Sequence, residues 1–266
     1  MAKNIDRQTF DSYWFAADTP LAKYSKFGHR PIRERVGSRQ KILEALRDAV
    51  RDHHVHPAAV AGALARRGFQ AASEFLAARL PVDGRTRMGN FGEVLASEHL
   101  RQRYGYDMPV FKLRFMEHAN MPMRGEDVVA FRLRDGRVIV GLCVGEAKTS
   151  QAFRSAEVVD AHRRLGTAYH PHPVSLAMIS NILHDAGNAL GDQVDQVLET
   201  LGTRSFPRDN WIFIITGNRP EDPFSVLQKE EVVENLFCVN LYLEDLAALV
   251  QDLFDHPLGH EEPDGR

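Results

Sequence analysis

The sequence lacks the features that mark several large classes of protein. Only two cysteines occur in 266 residues, which is too few for a disulfide framework and favours a reducing compartment. No apolar run approaches the ~18 residues that a membrane span needs, and the first residues lack a secretory signal pattern. We therefore expect a cytoplasmic protein that makes no membrane contact.

An excess of charge of one sign is also missing. The chain has 33 basic and 36 acidic residues and a net charge of −3, so it is not a protein that binds polyanions over its whole surface. It lacks the Gly-Lys-Ser/Thr loop that binds nucleotide phosphates, so we expect no nucleotide cofactor. Any nucleic-acid binding must come from local basic surface or from a partner.

The residues that are present divide the chain at a turn-rich segment, 81–84. Residues 1–82 predict a mostly helical N-terminal region, residues 83–255 an α/β core, and residues 256–266 a polar tail. The N-terminal helices are expected over 39–52, 57–66 and 69–80. The core is expected to contain helices over 88–104, 151–165, 175–188, 191–201 and 244–254, and strands over 109–115, 127–134, 137–148, 211–216 and 235–243. This order predicts a mixed sheet with helices on both sides.

Candidate chemistry begins at the end of the strand over 137–148, which closes with Glu146 and Lys148 on one face. Asp135 and Gly136 are a strong signal for a two-residue hairpin. Continuing the register of that hairpin makes Asp127 and Glu146 diagonal neighbours on the same face, within reach of each other. Two converging carboxylates suit a hard cation. Lys148 beside them could orient a water molecule or offset phosphate charge.

A third acid, Glu93, lies on an otherwise apolar stripe of the helix over 88–104. Such a carboxylate is either functional or paired. The alternative for Asp127 and Glu146 is a structural one, in which they are strand-end acids bound to arginines. The candidate partners for that role are Arg85, Arg87 and Arg124.

Two further groups of residues are expected to be structural. His53, His54 and His56 have neither a cysteine partner nor i, i+4 spacing, so we expect surface histidines and no zinc site. Cys143 lies on the strand face opposite Glu146 and is expected to be packed in the core. The basic residues close to the candidate acids in sequence are potential phosphate contacts: Arg85, Arg87, Arg101, Arg103, Arg132, Arg134, Arg163 and Arg164.

A helix carrying Glu93, then Asp127 at the start of a strand, then an apolar strand ending in Glu146-Ala147-Lys148, resembles the PD-(D/E)XK nuclease superfamily over residues 88–217. The strings RTRMGNFGEVLASEHL and RGEDVVAFRLRDGRVIVGLCVGEAKTS resemble the HamA family, the nuclease subunits of Hachiman anti-phage systems. One departure from the superfamily pattern is that no proline precedes Asp127.

The resemblance implies a restriction-endonuclease-like α-β-β-β-α-β core with a helical N-terminal extension. It implies that Asp127, Glu146, the Ala147 carbonyl and Glu93 hold Mg²⁺ or Mn²⁺, and that Lys148 positions the attacking water. The activity it implies is metal-dependent hydrolysis of DNA in phage defence. It also implies a separately encoded, HamB-like helicase as partner.

Alternatives to DNA cleavage stay open at this point. The same scaffold could cut RNA, since nothing in the residues selects the sugar. A non-catalytic adaptor could use the fold to dock a helicase or DNA. A restriction or housekeeping nuclease is a weaker alternative, because the chain has little room for a target-recognition domain.

Overall fold

The computed structural model of the chain describes residues 9–18, 24–121, 125–166, 173–201 and 206–259. The helices in these ranges are α1 (Phe10–Trp14), α2 (Arg39–His54), α3 (Pro57–Ala77), α4 (Gly84–Tyr104), α5 (Ser155–Leu165), α6 (Val174–Asp185), α7 (Leu190–Leu201) and α8 (Leu246–Asp255). The strands are β1 (Phe15–Ala17), β2 (Gly28–His29), β3 (Ile32–Glu34), β4 (Val128–Arg134), β5 (Val138–Ser150), β6 (Arg208–Thr216) and β7 (Leu236–Tyr242). None of these helices combines the length and the apolar composition that crossing a bilayer requires.

A mixed sheet of seven strands runs through the described part of the chain. Its order is β1-β3-β7-β6-β5-β4, with β2 also paired to β7. Strands β5, β6, β7 and β3 are parallel, and β4 and β1 join antiparallel at the two edges. Helices pack against both faces, and the predicted α/β class is confirmed. The first 82 residues contribute three of the strands, which the sequence analysis did not predict.

Two apolar clusters fill the space between the sheet and the helices. The first lies beneath α2, α4 and α8 and includes Leu46, Leu95 and Leu253. The second lies on the other face beneath α5, α6 and α7 and includes Val158, Ile179 and Val194. Trp14 of the N-terminal region is fully buried in the first cluster. The N-terminal region and the core therefore share one hydrophobic interior.

The predicted helices over 57–66 and 69–80 form α3, which is interrupted at Gly68. That residue has φ 78°, a left-handed conformation that glycine adopts without a steric penalty. Residues 64–70 on either side of this interruption are all exposed. The break between the two predicted helices is thus present as a kink.

The hairpin at Asp135 and Gly136 is present, and both residues have positive φ values of 52° and 67°. The predicted register of the strands that follow is wrong, however. Arg134 pairs with Val138, and a second shift occurs between Arg132 and Leu133. Both shifts bring β5 further along β4 than a two-residue turn alone would, and this moves the candidate acids closer together.

The strand predicted over 109–115 is also wrong, because Lys112–Phe115 form a 3₁₀ helix. An alternating strand would send Lys112 and Arg114 to solvent. Instead, Lys112 is buried and its Nζ donates to the carbonyl of Glu126, while Arg114 Nε donates to the carbonyl of Asp52 at 2.7 Å. Binding of these cations to backbone carbonyls outweighs the strand pattern.

The prediction of surface histidines is wrong for two of the three residues in the first group. His53 and His54 are buried, whereas His56 is exposed and caps α3. His53 Nε2 lies 2.9 Å from the buried carboxylate of Glu98, and His54 is hydrogen-bonded on both ring nitrogens. The histidines of α2 thus connect it to α4. Cys143 is fully buried, as predicted.

Candidate active site

The candidate site lies where β5 extends beyond the start of β4. Val128, the first residue of β4, lies opposite Gly145, so residues 146–150 continue past it. Asp127 comes directly before β4, and its Oδ2 accepts a hydrogen bond of 2.8 Å from the N–H of Ala147. The N–H and C=O of one strand residue point to the same side. The Ala147 carbonyl therefore faces the side on which Asp127 lies.

Glu146 is the most deeply buried member of the site, with 1% of its surface exposed. Its Oε2 lies 2.8 Å from Nε of Arg164 and 3.7 Å from Nζ of Lys148. The angles at Oε2 do not satisfy a hydrogen bond, and this buried atom has no hydrogen-bond partner among the described residues. A buried carboxylate oxygen held only by charge has coordination capacity left for another cation.

Lys148 shares the face of Glu146 and is held by α5. Its Nζ lies 2.9 Å from Oδ2 of Asp160, and Arg163 binds the other oxygen of that carboxylate at 2.5 Å. Although burial opposes it, hydrogen bonds from Lys148 and Arg163 lower the pKa of Asp160. Asp160 was not predicted from the sequence, since nothing in its spacing connects it to Lys148.

Glu93 approaches the site from the other face of the sheet, on α4. The preceding residue, Gly92, packs so closely on β5 that a Cβ there would lie 2.0 Å from Oγ1 of Thr149. Glu93 lines a small cavity together with Asp127 and Lys112. The cavity has about 10 Å³ open to the centre of a water molecule, about the minimum for one water.

The carboxylates of the site act on one another electrostatically. Burial raises the pKa of Glu93 and of Glu146 well above the ordinary carboxylate range, and the Asp127 carboxylate raises both further. Lys112 opposes the rise for Glu93, and Arg164 and Lys148 oppose it for Glu146. The site therefore concentrates negative charge that a cation would stabilise.

Lys112 is the second site residue that the sequence analysis missed. It is 5% exposed and binds the carbonyl of Glu126, the residue before Asp127. Its burial was hidden because a lysine within an alternating segment reads as a solvent-facing strand residue. A lysine with apolar residues on both sides was the only sequence signal.

Most of the arginines near the acids in sequence have structural partners. Arg87 pairs with Asp255, Arg101 with Glu98, Arg103 with Asp11, Arg132 with Asp209, and Arg163 with Asp160. Arg164 contacts the candidate acid Glu146, and its Nη2 also donates to the carbonyl of Gly125 at 3.0 Å. Arg124, a predicted alternative partner of the acids, lies outside the described residues.

The donor set was tested for its fit to a hard cation. Within the described ranges, no three His, Cys, Asp or Glu side chains converge closely enough to hold a metal ion by themselves. The set that does lie together is two carboxylates, Asp127 and Glu146, with the carbonyl of Ala147. All three are oxygen donors, the type that Mg²⁺ prefers, and Mg²⁺ completes its shell with water and substrate phosphate. The residues therefore fit the ion.

Comparison with known proteins identifies the family. The family model described as HamA matches residues 13–256, which include every residue of the candidate site. This chain belongs to the HamA family. A relative described as Hachiman protein HamA, from Bacillus cereus, is 24% identical over 179 residues. The match covers 66% of this chain and 62% of the relative, so the HamA-family chain spans less than two thirds of that protein.

Proposed function

We propose that this HamA-family protein is a metal-dependent nuclease that hydrolyses DNA in Hachiman anti-phage defence. Family membership and the description of the Bacillus cereus relative support the placement in defence. One observation supports the chemistry. The Asp127 carboxylate is bound to the backbone of Ala147, directly between Glu146 and Lys148 in sequence, at a strand end that no other strand covers on that side within the described residues.

In this proposal, Asp127, Glu146 and the Ala147 carbonyl hold Mg²⁺ or Mn²⁺, and Glu93 supports the ion or its water from the α4 side. The bound ion supplies neutralisation of phosphate charge and a more acidic water. Arg164 balances the charge of Glu146 until that carboxylate turns to the ion.

Lys148 acts on the reacting water and phosphate. Its ammonium group exchanges Asp160 for a phosphate oxygen and holds the water in line with the scissile bond. The water oxygen forms the new P–O bond, the bond to the sugar oxygen breaks, and a proton from the water ends on the leaving oxygen. No covalent enzyme intermediate is required. A partner helicase that presents DNA and restrains cleavage, and a cytoplasmic location, complete the proposal.

Plasmid cleavage by the purified chain, in Mg²⁺ or Mn²⁺ and in EDTA, tests the chemistry. We expect nicking or linearisation that needs the ion and is lost in Asp127→Asn and Lys148→Ala. Lys229→Ala, which removes an exposed lysine elsewhere, is the matched control and should cut normally. Circular dichroism would check the folding of each variant. Intact plasmid would prompt the same assay with the co-encoded helicase.

A second candidate function is a non-catalytic adaptor that docks a helicase or DNA. The observation that favours it is the ion-pair network of Glu146 with Arg164 and Lys148 with Asp160, which could be structural. An adaptor keeps its binding partner when Lys148→Ala is made and binds no Mn²⁺ at the site. Cleavage of matched RNA but not DNA, by contrast, would move the proposal to an RNA nuclease.

A further inference from the structure

A cationic cavity lies at the sheet edge where the parallel strands end, some distance from the candidate active site. It has a volume of about 450 Å³ and is lined by four arginines and three acids, with polar groups of β7 between them. The cavity joins the N-terminal region to the core, since Arg33 and Arg35 come from the β3 segment and Arg219 follows β6.

The charges of this cavity do not cancel. Arg33 and Arg219 share one carboxylate, that of Asp18, at 3.8 Å and 2.8 Å. Their side chains stay 63% and 57% exposed. The guanidinium of Arg35 has no ion pair among the described residues. By contrast, Arg39 is satisfied by a bidentate pair with Glu34. The exposed rim is therefore positive, even though the net charge of the chain is negative.

The ladder of the sheet connects this rim to the candidate active site. Ser150 pairs with Thr216, Thr216 with Tyr242, and Tyr242 with Arg33. Partners in such a row point to one face, and Ser150 is on the same face of β5 as Lys148. Arg33 is thus on the sheet face that carries the site. Three strand spacings of about 4.8 Å separate β3 from β5, or about 14 Å.

We propose that this cavity, defined by Arg33, Arg35 and Arg219, binds a backbone phosphate of the nucleic-acid strand whose scissile phosphate lies at Lys148. The inference rests on the proposed function for the identity of the ligand. Guanidinium groups bind phosphate oxygens through paired hydrogen bonds. At 3.4 Å of helix rise per phosphate of one strand, 14 Å corresponds to about four phosphates from the cut. The N-terminal region would then serve to hold substrate.

The test is DNA binding by the full chain in EDTA, measured by fluorescence anisotropy over a series of NaCl concentrations. Without the divalent ion no cleavage is expected, so binding is measured apart from catalysis. For the double variant Arg33→Gln with Arg219→Gln, we expect the Kd for a single-stranded oligonucleotide to rise roughly tenfold. The slope of log K against log salt should fall by about 1.4, or 0.7 for each lost contact.

Two controls isolate the cavity from the general loss of charge. Arg66→Gln with Arg67→Gln removes the same charge from the exposed kink of α3 and should leave the slope unchanged. Arg33→Lys with Arg219→Lys keeps the charge and should keep most of the binding, which also guards against misfolding. Asp18→Asn releases both arginines and should tighten binding, whereas Glu74→Gln on α3 should not.

Several results would overturn the inference. These are equal effects of the two Arg→Gln pairs, no binding of DNA by the wild type at low salt, or loss of inorganic phosphate binding with DNA binding intact. The proposed function fails separately, through metal-dependent plasmid cleavage that is absent or that survives Asp127→Asn. If cleavage occurs, the cavity variant should raise the KM for strands with at least about four phosphates beside the cut, without lowering kcat.

Discussion

At the scale of single residues, buried polar side chains of α2 and α4 keep their positions through specific partners. Glu98 is fully buried and binds His53 and Arg101 at 2.9 Å and 2.6 Å. Although burial opposes ionisation, these partners lower the pKa of Glu98 to about 2. His54 is buried in the opposite charge state. Its Nδ1 donates to the carbonyl of Val50, and its Nε2 accepts from Asn90.

His54 predicts a loss of stability in mild acid. Burial lowers the pKa of His54 from 6.5 to about 4, so the folded state holds the neutral ring. Above pH 6.5 neither state takes up a proton. Between pH 6.5 and 4 the unfolded state binds a proton that the folded state excludes, so the free energy of unfolding should fall by about 2 kcal/mol at pH 5. Urea unfolding at pH 7.5 and 5 measures this.

Two variants separate His54 from the other titrating groups. His54→Gln should unfold more easily at pH 7.5 but lose less stability on acidification than the wild type. His118→Gln, which removes an exposed histidine, should show the wild-type pH dependence. An identical dependence in His54→Gln would contradict the role given to this ring.

At the scale of elements, the position of the candidate acids depends on how closely α4 packs against β5. Gly92 permits this approach, because a Cβ there would lie 2.0 Å from Thr149 Oγ1 and 3.7 Å from the Cβ of Ala147. The neighbouring Glu93 and the β5 residues of the site are brought together by the same contact. Helix packing and site geometry are therefore coupled.

Gly92→Ala should destabilise the fold by about 1–3 kcal/mol, because the clash outweighs the usual gain from replacing a helical glycine. Gly89→Ala, one turn earlier where nothing lies within 4 Å, is the control and should stabilise by about 0.5–1 kcal/mol. Adding Thr149→Ala to Gly92→Ala should restore part of the loss. Urea unfolding measures all four proteins, and equal behaviour of the two glycine variants would refute the packing argument.

Several elements could be predicted from sequence because their residues carry regular patterns. The continuous apolar run of β5 and the helical spacing of α2 each produced an element close to the observed one. The register of the hairpin could not be predicted, because the shift between Arg132 and Leu133 has no sequence signal. The 3₁₀ helix at Lys112 was missed because its stability comes from carbonyls far along the chain.

At the scale of the whole molecule, the N-terminal region and the core share a sheet and a hydrophobic cluster. Strand β3 pairs with β7, and Trp14 packs in the cluster beneath α4 and α8. Trp14 Nε1 also donates to Glu34 at 2.7 Å. The boundary between residues 82 and 83 stays a prediction, but the packing indicates that the two parts unfold together.

Trp14→Ala should therefore destabilise the entire chain, by about 3–5 kcal/mol for the loss of a buried aromatic ring. The chain has two tryptophans, so in this variant the fluorescence reports Trp211 of β6 alone. We expect that signal and the helical circular dichroism to shift to lower urea together. Tyr13→Ala, which removes an adjacent side chain that is 40% exposed, should shift neither. A Trp211 transition unchanged by Trp14→Ala would show independent units.

The sequence by itself determined the α/β class, the strand that ends in Glu146 and Lys148, and the candidacy of Asp127 and Glu93, because local periodicity and residue chemistry carry that information. Only the tertiary structure decided how these residues meet. The shifted register placed Asp127 against Ala147, the approach of Gly92 brought Glu93 in from the other face, and α5 supplied Arg164 and Asp160. Contacts between distant segments depend on packing, and no local pattern encodes them.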